Sequence, residues 1–187
     1  MEEKSLKELA ELAEISSTVK EELYNQYNVK RGLRNQDHTG VLVGLTHIGN
    51  VVGYELKDNM PVPTEGKLFY RGIEIRDIVS GFQKENRPGF DETTFLLLFG
   101  KLPSKKQMEI FSAHLTSLRD LPENFTDDMI LKLKGKDLMN ILARCVLSLY
   151  TLDENPDDTS TLNILKQSID LIAKFPTIIA YSYQALR

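Results

Sequence analysis

Apolar positions crowd most densely at the end of this chain. From Ile169 onward they fall on nearly every side of the helix that their spacing predicts: Ile169, Leu171, Ile172, Phe175, Ile178 and Ile179, then the amphipathic Tyr181 and Tyr183. Only a narrow strip stays polar, through Asn163, Lys166, Asp170, Lys174, Thr177 and Gln184. A helix that is apolar almost all round is expected to be buried on two sides. Thr159 or Ser160 supplies its N-cap. Pro176 sits inside it, unable to donate to the Ile172 carbonyl and crowding that turn, so a kink is expected there. The proline costs about 3 kcal/mol in isolation, whereas each large side chain contributes roughly 1.5–3 kcal/mol when buried. The helix should therefore survive its proline. It reaches Arg187 with no Gly, Asn or Pro to mark an end, so the pattern reads as a central helix cut short.

Upstream, the same periodicity predicts a series of shorter helices. Asp137 caps one from Leu138 to Leu152, with Leu138, Ile141, Leu142, Cys145 and Leu149 on its apolar stripe. Asn155-Pro156-Asp157-Asp158 is the turn between it and the last helix. Thr126 is expected to cap a short piece through Met129, Ile130 and Leu133. Ser104 and Gln107 form a capping box ahead of Met108, Phe111, Leu115 and Leu118. Asp91 is expected to cap the run Phe95 to Phe99, which Gly100 closes, and Gly81 to end a helix holding Ile73, Ile75, Ile78 and Val79.

Near the N-terminus, Leu6, Leu9, Ala10, Ala13, Val19 and Leu23 recur roughly at helical spacing. Between this amphipathic helix and the others, the period changes. Val41 to Val43 and Val51 to Tyr54 read as strands about a Gly49-Asn50 hairpin turn. Asp58 to Gly66, with Pro61 and Pro63, reads as a looser segment before the short apolar run Leu68-Phe69-Tyr70. The expected fold is all-α and multi-helical, with a small β-hairpin or short three-stranded β element near its start. We divide it into an N-terminal helical segment, 1–30, and one helical domain over 31–187.

Composition narrows the classes. At 187 residues, 41% hydrophobic and 27% charged, the chain can bury one respectable core. Its net charge of -4 and the lack of a basic stripe argue against a nucleic-acid partner. No run is apolar for long enough to span a membrane, since even the last helix carries Lys174 and Gln184. The one cysteine, Cys145, reads as a small core hydrophobe and fits a reducing, cytoplasmic setting.

A complete active site does not emerge from the residues. His38 and His47 flank the expected hairpin and His114 lies between Phe111 and Leu118, none at metal-ligand spacing on a shared face. We therefore assign no metal site and no catalytic residue. Gly40, Gly44 and Gly49 are spaced as turn glycines and open no phosphate-binding helix. Glu2-Glu3, Glu21-Glu22 and Asp127-Asp128 read as solvated or helix-start charges. Two arginines draw more notice. Arg34 follows Gly32 in a turn-rich segment, where a guanidinium reaches an anion as a bidentate donor. Arg71, between Tyr70 and Gly72, is expected to make a structural ion pair.

Five stretches stand in a telling order: Gly32-Leu33-Arg34 before the hairpin; Gly66 to Ile73 where strand gives way to helix; Phe95 to Ser104, an apolar helix followed by Gly, Pro and a cap; Lys136 to Asn140; and Leu171 to Ile178 with its internal proline. In order and spacing they resemble the N-terminal half of citrate synthase, over about Arg31 to Arg187. The resemblance implies an enzyme that condenses acetyl-CoA with oxaloacetate to citrate and CoA. In that family a histidine and an aspartate enolise the acetyl group, a second histidine polarises the ketone, and arginines hold the carboxylates. Those groups follow the matched stretch, and His38, His47 and His114 do not correspond to them.

The resemblance carries one site residue over, Arg34, matching a family arginine that contacts CoA phosphates; the family usually has Gly after it, where this chain has Asn35. It implies no tightly bound cofactor, with CoA and acetyl-CoA as substrates. It also implies a homodimer, formed as the helices 137–152 and 159–187 pack across a two-fold axis. The expectation is thus a catalytically incompetent front part of a citrate synthase. The alternatives are a self-standing helical dimerisation or regulatory module and, within the enzyme class, a 2-methylcitrate synthase.

Overall fold

The computed structural model describes residues 20–27, 32–35, 39–41, 46–58 and 60–187. The expected N-terminal helix lies outside the described residues except at its end, as do His38, Leu42 and Val43. The chain divides into two compact units, Met1–Leu68 and Phe69–Arg187.

In the first unit a six-residue helix, α1 (Glu21–Gln26), precedes two long strands, β1 (Gly49–Lys57) and β2 (Met60–Tyr70). The strand pair sits later than its turn signal indicated. Gly49 and Asn50 begin β1, and the chain reverses beside Asp58, whose φ of 52° is the left-handed backbone that Asp tolerates. The proline-bearing segment is strand as well. Pro61 and Pro63 stand two apart, so their missing N–H groups fall on one edge. Strand prolines are confined to edges, strand starts or bulges, and both lie in the first four residues of β2.

The second unit begins with the end of β2 paired antiparallel to β3 (Ile73–Glu74), Tyr70 opposite Ile73 and Phe69 opposite Glu74. The strand order is β1-β2-β3. Arg71 and Gly72, with φ of 49° and 84°, make the two-residue turn between β2 and β3. Ile73 is therefore strand, and α2 runs over Ile75–Lys84. Gly81 lies inside α2 without ending it, because a helical glycine costs only about 1 kcal/mol against alanine. The chain turns away at Asn86 instead, with φ of 48°.

α3 (Phe90–Phe99) starts one residue before the expected cap, with Gly89 as its N-cap. Asp91 and Glu92 occupy the first turn, where carboxylates favour the positive end of the helix dipole. Gly89 is there for space: a Cβ on it would meet the Phe82 ring at 2.3 Å. Gly100 closes α3 in the left-handed conformation, as expected. The capping box at Ser104 and Gln107 is formed in full and starts α4 (Lys105–Ser117).

Thr126 does not act as a cap. It opens a wide π-helical turn, Thr126–Leu131, with Phe125 before it. A wide turn brings residues five apart onto one side, and Phe125 and Ile130 are both buried in the same core. Asp137 and Ser160 cap the last two helices, α5 (Leu138–Tyr150) and α6 (Thr161–Leu186), each accepting a bond from the backbone N–H three residues on.

α6 runs unbroken through Pro176 and shapes two cores. Ile169 and Ala173 pack with Phe95, Phe111 and Leu115 of α3 and α4, while Ile178 packs with Phe125, Ile130 and the buried stripe Ile141, Leu142, Cys145 and Leu149. At 3.6 residues per turn, Ile178 stands about 140° round from Ala173. The helix is thus buried on two sides. The fold is mostly helical with a small three-stranded sheet, as the periodicity implied.

Candidate functional site

Arg34 occupies a small knot of backbone in the first unit. Gly32 takes φ of 65° and redirects the chain, after which Arg34 bridges antiparallel to Gly40. The Val41 N–H donates to the Leu33 carbonyl at 3.3 Å, and the Asn35 N–H to that of Thr39 at 2.9 Å. The Asn35 side chain knits the turn: Nδ2 donates to Thr39 Oγ1 at 2.9 Å and to the Gly40 carbonyl at 3.2 Å. The arginine is exposed. Its Nη1 lies 3.7 Å from where a Cβ on Gly40 would stand, so the guanidinium lies against a bare stretch of backbone. Five N–H donors on a planar, permanently charged group suit a phosphate.

Arg71 does a different job from the ion pair its sequence position implied. Its Nε and Nη2 donate to the Leu97 carbonyl at 3.0 and 2.6 Å. That carbonyl belongs to the last turn of α3, where helical C=O groups lack intrahelical donors and a cation is favoured. The residue is structural, and a carbonyl replaces the expected carboxylate.

His47 and His114 are both exposed. Among the described residues no three His, Cys, Asp or Glu side chains converge as metal ligands. Cys145 is fully buried, and burial pushes its thiol pKa up, which keeps it protonated and unreactive. No helix among the described residues is long and apolar enough to cross a membrane.

The second unit holds several open cavities. One of about 420 Å³ lies between α5 and α6, with Tyr150, Asp153, Gln167, Asp170 and Lys174 among its walls. There Lys174 pairs with Asp170 one turn before it, and Gln167 Nε2 donates to Asp153 Oδ2 at 3.0 Å. Tyr150 donates its phenol to Asp157 at 2.9 Å, which raises the phenol's pKa. The Gln167–Asp153 and Tyr150–Asp157 bonds fasten the α5–α6 loop. Another cavity, about 410 Å³, lies over Pro176 between Asp91, Arg119 and Tyr181.

The last two helices carry apolar surface beyond what the cores use. Met139, Ala143, Leu147 and Tyr150 are exposed along α5 at spacings of four, four and three, opposite its buried stripe. Pro176, Ile179, Ala180 and Tyr183 form a second exposed stripe on α6. Sequence reading found both helices and their excess of apolar residues. It missed Gly89 and the Arg71–Leu97 clasp, for which the sequence offers only a glycine before a helix and an arginine after a strand.

Comparison with known proteins matches a protein-family model described as citrate synthase, C-terminal domain, over residues 32–187. A citrate synthase from Saccharolobus solfataricus is 29% identical over 156 residues, spanning 83% of this chain and 35% of the relative. A 2-methylcitrate synthase from Mycobacterium tuberculosis is 26% identical over 160 residues, spanning 86% of this chain and 35% of that protein. The chain thus covers about a third of the length of these curated relatives. In three dimensions it is similar to the citrate synthase of Pyrobaculum aerophilum, with a TM-score of 0.60 and 24% identity over 79% of this chain and 35% of that one. The Thermoplasma acidophilum citrate synthase, solved in ternary complex with carboxymethyl coenzyme A and oxaloacetate, gives a TM-score of 0.63 at 14% identity, covering 77% of this chain and 34% of that one.

Proposed function

Because the chain belongs to the citrate synthase family, we propose that it is the front part of the large helical domain of an enzyme that condenses acetyl-CoA with oxaloacetate to give citrate and CoA. The observation that carries this reading is the run from Leu171 to Ile178 in α6, a family-like stretch that also joins both cores. The matched family model is named for a C-terminal domain; placement at the front rests on the order of motifs from Gly32 to Ile178. In this reading the groups that enolise the acetyl unit and polarise the ketone belong to the rest of the relatives' length. The chain alone is then catalytically incompetent, and its contribution is structural.

Two further roles follow from the same reading. Arg34 meets the phosphates of CoA, which visits as a substrate and is not a resident cofactor; its exposed guanidinium beside Gly40 supports this. α5 and α6 pair with their copies in a homodimer, supported by the exposed stripe Met139, Ala143, Leu147 and Tyr150, in which Ala143 leaves room for close approach of a second helix. The reading places the protein in the cytoplasm, consistent with a buried, free Cys145. The 2-methylcitrate synthase relatives favour a second version in which the acyl group is propionyl.

The direct test is a steady-state assay of the purified chain with acetyl-CoA or propionyl-CoA and oxaloacetate. Release of free CoA at the level of the spontaneous reaction is expected from either acyl donor. Turnover above it would overturn the assignment of incompetence.

A further inference from the structure

We draw no further inference here: the strongest candidate, the exposed apolar stripe of α6 formed by Pro176, Ile179, Ala180 and Tyr183 beside the cavity of about 410 Å³ over Pro176, carries none because nothing in the structure shows what covers it.

Discussion

Arg71 clasps Leu97. The arginine stands at the left-handed position of a two-residue turn, and its side chain reaches 26 residues along the chain to the carbonyl at the end of α3. The sheet terminus is thereby tied to a helix that builds one of the two cores. A hydrogen bond from a charged donor contributes about 1.5–3 kcal/mol. Arg71→Met should therefore lower stability by roughly that amount in urea denaturation. Arg71→Gly loses the same clasp but relieves the positive φ, and should cost less than Arg71→Met. Equal losses in the two variants would show that backbone strain at this turn is immaterial.

Gly89 and Phe82 make a contact that tolerates no side chain on the glycine, since a Cβ would lie 2.3 Å from two ring carbons. Gly89→Ala should destabilise by about 1–3 kcal/mol, the range for overpacking. In a Phe82→Ala background the same change should cost little, and a double-mutant cycle reads the difference. A full cost in both backgrounds would place the requirement for glycine in the backbone and not in the ring.

Ser182 is fully buried on α6, one turn beyond Ile178, and its hydroxyl has no hydrogen-bond partner among the described residues. An orphaned buried polar group costs about 1–3 kcal/mol. Ser182→Ala removes it with little change in volume, so thermal unfolding should shift upward. A downward shift would mean that the hydroxyl is satisfied in solution.

Cys145 should resist modification. Its raised thiol pKa makes the protonated form the native one, so the group adds no pH dependence below the ordinary thiol range. Above that range the unfolded chain ionises first, and stability should fall as pH rises toward the folded pKa. Cys145→Ala should flatten this alkaline slope while costing packing. A thiol reagent should label the native protein far more slowly than the protein in denaturant; equal rates would contradict the burial.

Much of the second unit could be read from its sequence because local chemistry and final packing agree there. Ser104, Asp137 and Ser160 cap helices as their residue types require, and Gly100 closes α3. The apolar excess on α6 correctly signalled a helix buried on two sides. The misreadings fall where a tertiary neighbour decides. Gly49-Asn50 has the chemistry of a turn, yet the left-handed backbone is at Asp58, and two prolines proved compatible with the start of a strand. Gly89 reads as a helix start, but the Phe82 ring explains it. Arg71 found a helix-end carbonyl, which no spacing rule in the sequence announces. Arg34 was placed by a family resemblance, and the structure shows its side chain exposed beside Gly40.

The α5–α6 pair fills two cores with its inner faces, and we assign its outer stripe to a second copy. Sedimentation velocity of the 187-residue chain and its Leu147→Glu variant tests this most directly. A dimer for the parent chain and a folded monomer for the variant, judged by circular dichroism, is the expected result. A parent chain that is well folded and monomeric across micromolar concentrations would contradict it.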